Sequence, residues 1–329
     1  HGAPRRRQCR MIICIGESLI DFVPRETPEP GGPATGGPRL PGYSPVAGGC
    51  PYNCSIAAAR LGAGVFFAGT VSRDFFGDHI VERLQGNRVG LDYVSRVDRP
   101  TTLAFVKKEP DGSARYAFYT AAAADRALDR EHLHTPLPEG AILQMGSISI
   151  IPDPEGTTIL ELAEAERGRR VIAFDPNVRE TLADDPDDYR RRIVRALGAS
   201  TVLKTSDEDL AWVFPDDDLD AAVSRVLDLG VRLVVVTRGA SGSEAITESV
   251  RVRVPAEEVE VSDTIGAGDS FLAALLVWMD EHGVIDAPAV EALGERELTE
   301  ALEFASTVAA VTCTRVGADP PYRDDLIAR

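Results

Sequence analysis

Asp263-Thr264-Ile265-Gly266-Ala267-Gly268-Asp269 runs without a break into the apolar stretch Ser270-Phe-Leu-Ala-Ala-Leu-Leu-Val-Trp278. Gly266 and Gly268 let the backbone approach a ligand closely, and the free N–H groups at the start of the adjoining helix gather an anion. Asp269 falls in the first turn, beside wherever that anion rests. A carboxylate there can take the proton from an attacking hydroxyl while the amides stabilise charge on the group in transfer. The plainer use of such an Asp is to complement the helix dipole. A lone Gly-x-Gly would carry no more than that, but the seven-residue combination is far more specific.

Outward from this stretch, short apolar runs alternate with longer segments of helical period. The runs at 11–15, 65–71, 141–145, 170–174, 201–203 and 232–237 read as strands. The segments at 50–61, 77–88, 154–167, 187–197, 219–229, 268–282 and 297–313 read as helices. Strands apolar at every position and separated by helices indicate an α/β fold, a Rossmann-like parallel sheet covered by helices on both faces. Ligands in such sheets sit beyond the carboxyl ends of the strands. Two stretches break the rhythm. Residues 24–43 are dense in Pro and Gly and read as a surface loop or flap. Residues 101–108 and 115–119 read as hairpin strands around Pro110-Asp-Gly112. With residues 20–23 they make a small β-sheet lid, formed by about 17–47 and 99–125, over a cleft.

The chain has 329 residues, enough for a single domain over 11–329, with residues 1–10 read as a tag or disordered extension. Its 35 basic and 52 acidic residues give a net charge of −17, which argues against nucleic acid or an anionic membrane as partner. No apolar run reaches the length of a membrane span, and Arg5, Arg6, Arg7 and Arg10 lack the apolar segment of a signal peptide, so a cytoplasmic location is expected. The five cysteines are odd in number and irregular in spacing. Cys50 and Cys54 suit a metal by their spacing alone, but with no His or further Cys nearby they read as small core residues. A nicotinamide-binding fold is excluded because Ile15-Gly16-Glu17-Ser18 has one glycine where Gly-x-Gly-x-x-Gly would stand.

The segment 263–269 resembles the signature Asp-Thr-x-Gly-Ala-Gly-Asp of the ribokinase-like (PfkB) carbohydrate kinases, and the resemblance continues in order from Met11 to about Ala318. Gly48-Gly49-Cys-Pro-Tyr-Asn53 is similar to the family's Gly-Gly-x-x-x-Asn motif. Gly16-Glu-Ser-Leu-Ile-Asp21 is similar to its first strand and loop, Thr237-Arg-Gly239-Ala-Ser-Gly242 to its nucleotide turn, and Thr314-Arg-Val-Gly317-Ala318 to the stretch near the adenine. The resemblance implies an ATP-dependent sugar kinase with Asp269 as general base and the amides of Gly266, Ala267 and Gly268 as the anion hole. It places Asp21, Gly48, Gly49, Asn53, Phe105, Phe118 and Arg179 around the sugar, and Lys204, Thr237, Gly239, Gly242, Gly266 and Gly268 around the nucleotide. Arg179 comes just after Asp175-Pro-Asn177; its alternative is a solvated surface position. Mg2+ is expected with ATP because the transferring phosphates need charge neutralisation. Ser206 and Asp209 fall where relatives carry Asn-x-x-Glu, so Asp209 is the candidate for holding a metal-bound water, one methylene shorter than usual. K+ activation occurs in relatives.

Fructokinases are the nearest in pattern, through Gly49-Cys-Pro51, Arg99-Pro-Thr-Thr-Leu-Ala-Phe105, Ala124-Asp125-Arg126-Ala-Leu128 and Gly146-Ser-Ile-Ser149. The alternatives are 2-keto-3-deoxygluconate kinase and ribokinase. A keto-acid substrate needs a cation in the lid, commonly an Arg soon after paired aromatics. Phe118-Tyr119 is succeeded by Thr120 instead, with Arg115 as a possible substitute. A non-catalytic sugar-binding regulator is disfavoured, since a sensor needs neither Asp269 nor the Gly-Ala-Gly loop. A lid with apolar strands also suits pairing with a second copy, giving a homodimer.

Overall fold

The computed structural model describes residues 11–25, 42–108 and 114–327, with the side chains of 108 and 114–116 excepted. The N-terminal residues 1–10, the centre of the Pro/Gly-rich stretch, the Pro110-Asp-Gly112 turn and the Arg115 side chain lie outside it.

Strand β1 (Ile12–Ile15) shows why a parallel sheet forms. All four residues are buried, Ile12 and Cys14 against one core and Ile13 and Ile15 against the other. β2 (Leu19–Pro24) and β3 (Tyr43–Gly48) come next, then β4 (Val65–Ser72), β5 (Gly90–Val97), β6 (Thr102–Lys108) and β7 (Ala114–Tyr119). β8 (Ile142–Gly146), β9 (Ile172–Asp175), β10 (Val202–Ser206), β11 (Leu233–Thr237), β12 (Ser243–Ile246) and β13 (Arg251–Val254) complete the set. The large sheet has the order β13-β12-β11-β10-β9-β8-β1-β4-β5, and only its β11-β12-β13 edge is antiparallel.

The helices are α1 (Cys50–Arg60), α2 (Phe75–Gly86), α3 (Glu155–Glu166), α4 (Pro186–Ala199), α5 (Asp207–Val213), α6 (Leu219–Asp228), α7 (Ala267–His282), α8 (Ala287–Glu291), α9 (Glu295–Cys313) and α10 (Arg323–Ile327). Residues of α1, α7 and α9 fill one core and those of α3, α4 and α6 the other. Every residue of α7 from Asp269 to Asp280 is buried, and the run Phe271–Met279 within it is apolar throughout, as a helix covered on all sides requires.

The edge strands β12 and β13 were not expected from the sequence. Arg251 and Arg253 alternate with Val252 and Val254, and both arginines reach the buried Glu244 (2.5 and 2.7 Å), as does Arg238 (2.6 Å). The pattern is half-polar because the strand covers the core with one face only.

A second sheet, β3-β2-β6-β7, is the lid. β2 pairs antiparallel with β3 and parallel with β6, so Asp21 lies between Val46 and Ala104. Two threonines tie its base down. Thr101 donates to Asp74, the N-cap of α2, through both N–H (2.9 Å) and hydroxyl (2.7 Å), and the Thr102 hydroxyl donates to buried Asp125 (2.6 Å).

Candidate active site

A cleft of about 270 Å³ opens beyond the carboxyl ends of β1, β8, β9 and β10, roofed by the lid and walled by the start of α7. This is where a parallel sheet places its loops. The cleft gathers Asp21, Gly49, Asn53, Phe118, Arg179, Lys204, Gly266, Gly268 and Asp269 of the expected residues.

The two signature glycines act differently. Gly266 has φ +75°, the left-handed turn that starts α7, and a Cβ on it would stand 2.7 Å from that of Ala318. Gly268 is needed for space, since a Cβ would come 2.9 Å from the Lys204 ammonium nitrogen. The Ala267 N–H closes the turn onto the Thr264 carbonyl (3.3 Å). Among the described residues, the N–H groups of Gly266, Gly268 and Asp269 have no acceptor, whereas that of Ala267, expected with the glycines, is taken up by the turn. Asp263 fixes the loop by accepting from the N–H groups of Thr264 (2.7 Å), Ile265 (3.1 Å) and Gly317 (3.0 Å).

Asp269 is 7% exposed and accepts from the Asn53 amide at 2.8 Å. Burial raises its pKa above the usual carboxylate range, while Asn53, the Cys50 thiol, Lys204 and Arg179 hold it back. Across the cleft, burial pushes Asp21 up to about 7, with Arg179 opposing and Asp269 adding to the rise. Arg179 is thus a cleft residue rather than a solvated one, and its guanidinium donates to the Val178 carbonyl at 3.0 Å.

Lys204 is buried and holds Asp175 at 2.8 Å. Burial works against its charge, but Asp175 more than compensates and keeps its pKa above the ordinary value. The Cys50 sulfur and carboxylate oxygens of Asp175 and Asp269 lie within 4.8 Å of one another. Lys204 therefore belongs to the cleft floor beneath Gly268. The turn expected to hold nucleotide lies elsewhere: Thr237 donates to the Thr205 carbonyl (3.2 Å), and Gly239 (φ +49°) and Gly242 (φ +92°) turn the chain at the end of β11, off the cleft. Asp209 is also off the cleft; its carboxylate accepts from the Val178 N–H at 3.1 Å, tying α5 to the loop that carries Arg179.

Two of the expected sugar contacts are also displaced from the cleft. Phe105 does not face the cleft. In the lid register Asp21 and Phe118 flank Ala104 on the cleft side, so its neighbour Phe105 points outward and stacks on Phe22 at 4.6 Å. Gly48 does not line the cleft either; the Asp21 carboxylate occupies the space its side chain would need. Glu17, Cys50 and Ser147 line the cleft without having been expected there. Their signal was available only for Glu17 and Ser147, each directly after a glycine that closes a buried strand.

A family profile described as "pfkB family carbohydrate kinase" matches residues 10–325. A fructokinase of Rhizobium leguminosarum bv. trifolii is 38% identical over 88% of this chain and 85% of its own length. Fructokinase-1 of Oryza sativa subsp. japonica is 32% identical over 94% of each chain. Among solved structures, fructokinase with bound ATP from Xylella fastidiosa superposes with a TM-score of 0.85, 27% identity and 97% coverage of both chains.

Proposed function

Because the chain belongs to the pfkB family of carbohydrate kinases, we propose that it is a fructokinase, moving the γ-phosphate of ATP onto a hydroxyl of fructose with Asp269 as general base. One observation carries this: a buried carboxylate, oriented by Asn53, sits beside amides that have no acceptor among the described residues at the start of α7, with Asp21 facing it across the cleft. The sugar lies between Asp21, Asn53, Arg179 and Phe118, so its hydroxyl reaches Asp269 as the phosphate reaches the amides. Lys204 and Arg179 face the negative charge that develops. ATP extends from that loop toward Thr237, Gly239 and Gly242.

The donors around this path fit a divalent cation such as Mg2+. The candidate donor is Asp209, whose Oδ1 accepts from the Val178 N–H and whose second carboxylate oxygen would hold a metal-bound water. The cation would neutralise phosphate charge; the orientation and proton transfer rest on the chain's own groups. K+ is a further candidate cation, and the cytoplasm, where ATP is abundant, is the proposed location.

A neutral ketohexose is favoured over a sugar acid by the roof of the cleft. Among its described residues the lid contributes Leu19, Asp21 and Phe118 there, and no cation. A coupled assay across fructose, ribose, 2-keto-3-deoxygluconate and a nucleoside is expected to give fructose the highest kcat/KM. Inert fructose with an active keto-acid would transfer the assignment to a keto-acid kinase.

The outer lid face supports a homodimer. Phe22, Tyr43, Phe105 and Tyr119 form a contiguous aromatic surface that continues through Phe76 to Phe75, with Tyr119 65% and Phe75 73% exposed. Sedimentation is expected to give twice the 35.3 kDa chain mass, and Phe75→Asp/Tyr119→Asp to halve it. A wild-type chain that sediments as a monomer at micromolar concentration would refute the dimer.

A further inference from the structure

We infer that Glu17 is a positioning residue for the base, acting through the first turn of α1; this rests on Asp269 being that base. Helix α1 lacks the usual means of starting. Its N-cap is Gly49 with no side-chain cap, its first turn has no acidic residue, and Pro51 brings no N–H. The missing acceptor comes from a distant part of the chain. Glu17, 1% exposed, takes the Cys50 N–H on Oε1 at 2.9 Å.

The carboxylate is itself held in place. The Ser149 hydroxyl donates to Glu17 Oε2, and the Glu17 N–H donates back to the Ser149 oxygen at 2.9 Å. The backbone is closed around this contact as well. A Cβ on Gly49, at φ +113°, would stand 2.7 Å from the Glu17 carbonyl oxygen, and one on Gly16 would occupy the place of the Ser149 hydroxyl. Three segments therefore meet at one carboxylate: the turn after β1, the turn after β8 and the start of α1.

That start decides where Asn53 points. The Asn53 N–H makes the first bond of α1, to the Gly49 carbonyl at 2.8 Å, and its side chain reaches Asp269 at 2.8 Å. Glu17 fixes Cys50, the same turn carries Asn53, and Asn53 orients the carboxylate. Glu17 touches neither reacting atom and works by geometry, as an isosteric amide also could. Its oxygen would accept from Cys50 and its NH2 would donate to Ser149.

The test is a double-mutant cycle read in kcat and KM. Glu17→Ala strands the Cys50 N–H and loosens Asn53. It is expected to lower kcat by roughly 10- to 100-fold with the fructose KM within about threefold, while Glu17→Gln stays within about threefold of wild type in kcat. Asn53→Ala and Glu17→Ala/Asn53→Ala should then have the same kcat within about twofold, because the remote contact has nothing left to aim. Additive losses would overturn the proposal, as would Glu17→Gln as impaired as Glu17→Ala. A tenfold rise in fructose KM at unchanged kcat would make Glu17 a sugar contact instead. If Glu17→Ala does not fold, Ser149→Ala replaces it in the cycle, with a kcat loss of about 3- to 10-fold expected and the same non-additivity required. Asp269→Asn serves as the reference: if it remains active the base assignment fails, whereas additive losses with Asp269→Asn inactive remove only Glu17's role.

Discussion

Asp269→Asn is expected to lower kcat by about 10³-fold while ATP affinity changes less than about twofold. The amide matches the carboxylate in shape, and the Gly266–Gly268 turn and the free N–H groups at the start of α7, the proposed phosphate site, are untouched. What disappears is the acceptor for the hydroxyl proton. The pH profile provides a second readout. The base works ionised, and burial raises its pKa, so wild-type kcat/KM falls as pH drops through a value above the ordinary carboxylate range. The variant's residual rate should lose that limb. Activity comparable to wild type, measured by ADP release under saturating substrates, would refute the assignment.

Lys204→Met is expected to cost about 3–5 kcal/mol of stability, because it leaves Asp175 as an uncompensated charge in the interior. Asp175 is fully buried, and even with Lys204 at 2.8 Å, burial pushes its pKa up to about 6. Without the ammonium the carboxyl titrates higher still. The variant protonates Asp175 on folding, so its deficit should be largest at pH 8 and shrink toward pH 5.5. A loss of this size corresponds to roughly 4–7 °C in Tm for a domain of 329 residues. Lys204→Met/Asp175→Asn should recover most of the stability, since the stranded charge goes with the pair, yet remain inactive because no cation stands beneath Gly268. Thermal melts at the two pH values decide it; a Tm within 2 °C of wild type at pH 8 would show the pair to be dispensable.

The parallel sheet was legible because its central strands are buried on both faces, and such strands are apolar at every position. The turn that starts α7 and carries the proposed base was legible for a related reason: two glycines and an Asp at fixed spacing, leading into an apolar helix, admit few other arrangements. Legibility failed where one residue's meaning depends on a partner far along the chain. Phe105 belongs to a motif, but which face it takes depends on the pairing of β6 with β2, and there Phe22 claims it. Gly48 has a motif position too, yet its use is to make room for Asp21. Glu17 gave no sign of capping a helix that begins at Cys50, because caps are sought within a turn of the helix they serve. Lys204 and Asp175 sit on adjacent strands β10 and β9, and only the assembled sheet shows that each is the other's counter-charge.

The lid is stitched from two separate excursions of the chain. β2 and β3 leave after β1, β6 and β7 leave after β5, and the seam is the parallel pairing of Leu19 with Thr102 through Phe22 with Phe105. Neither hairpin can close that seam until β4 and β5 have brought its far half into place, and loop-closure entropy makes such a distant pairing late. The roof is therefore expected to be among the last parts of the molecule to fold and among the first to open, an order that hydrogen exchange of the β2 and β6 amides would reveal. In the proposed complex a sugar held between Asp21 on the roof and Asp269 on the α7 wall would pin the lid to the large sheet beneath it. Such a ligand would stiffen the part of the protein that selects it, and the nine-stranded sheet beneath would be the fixed base it is pinned to.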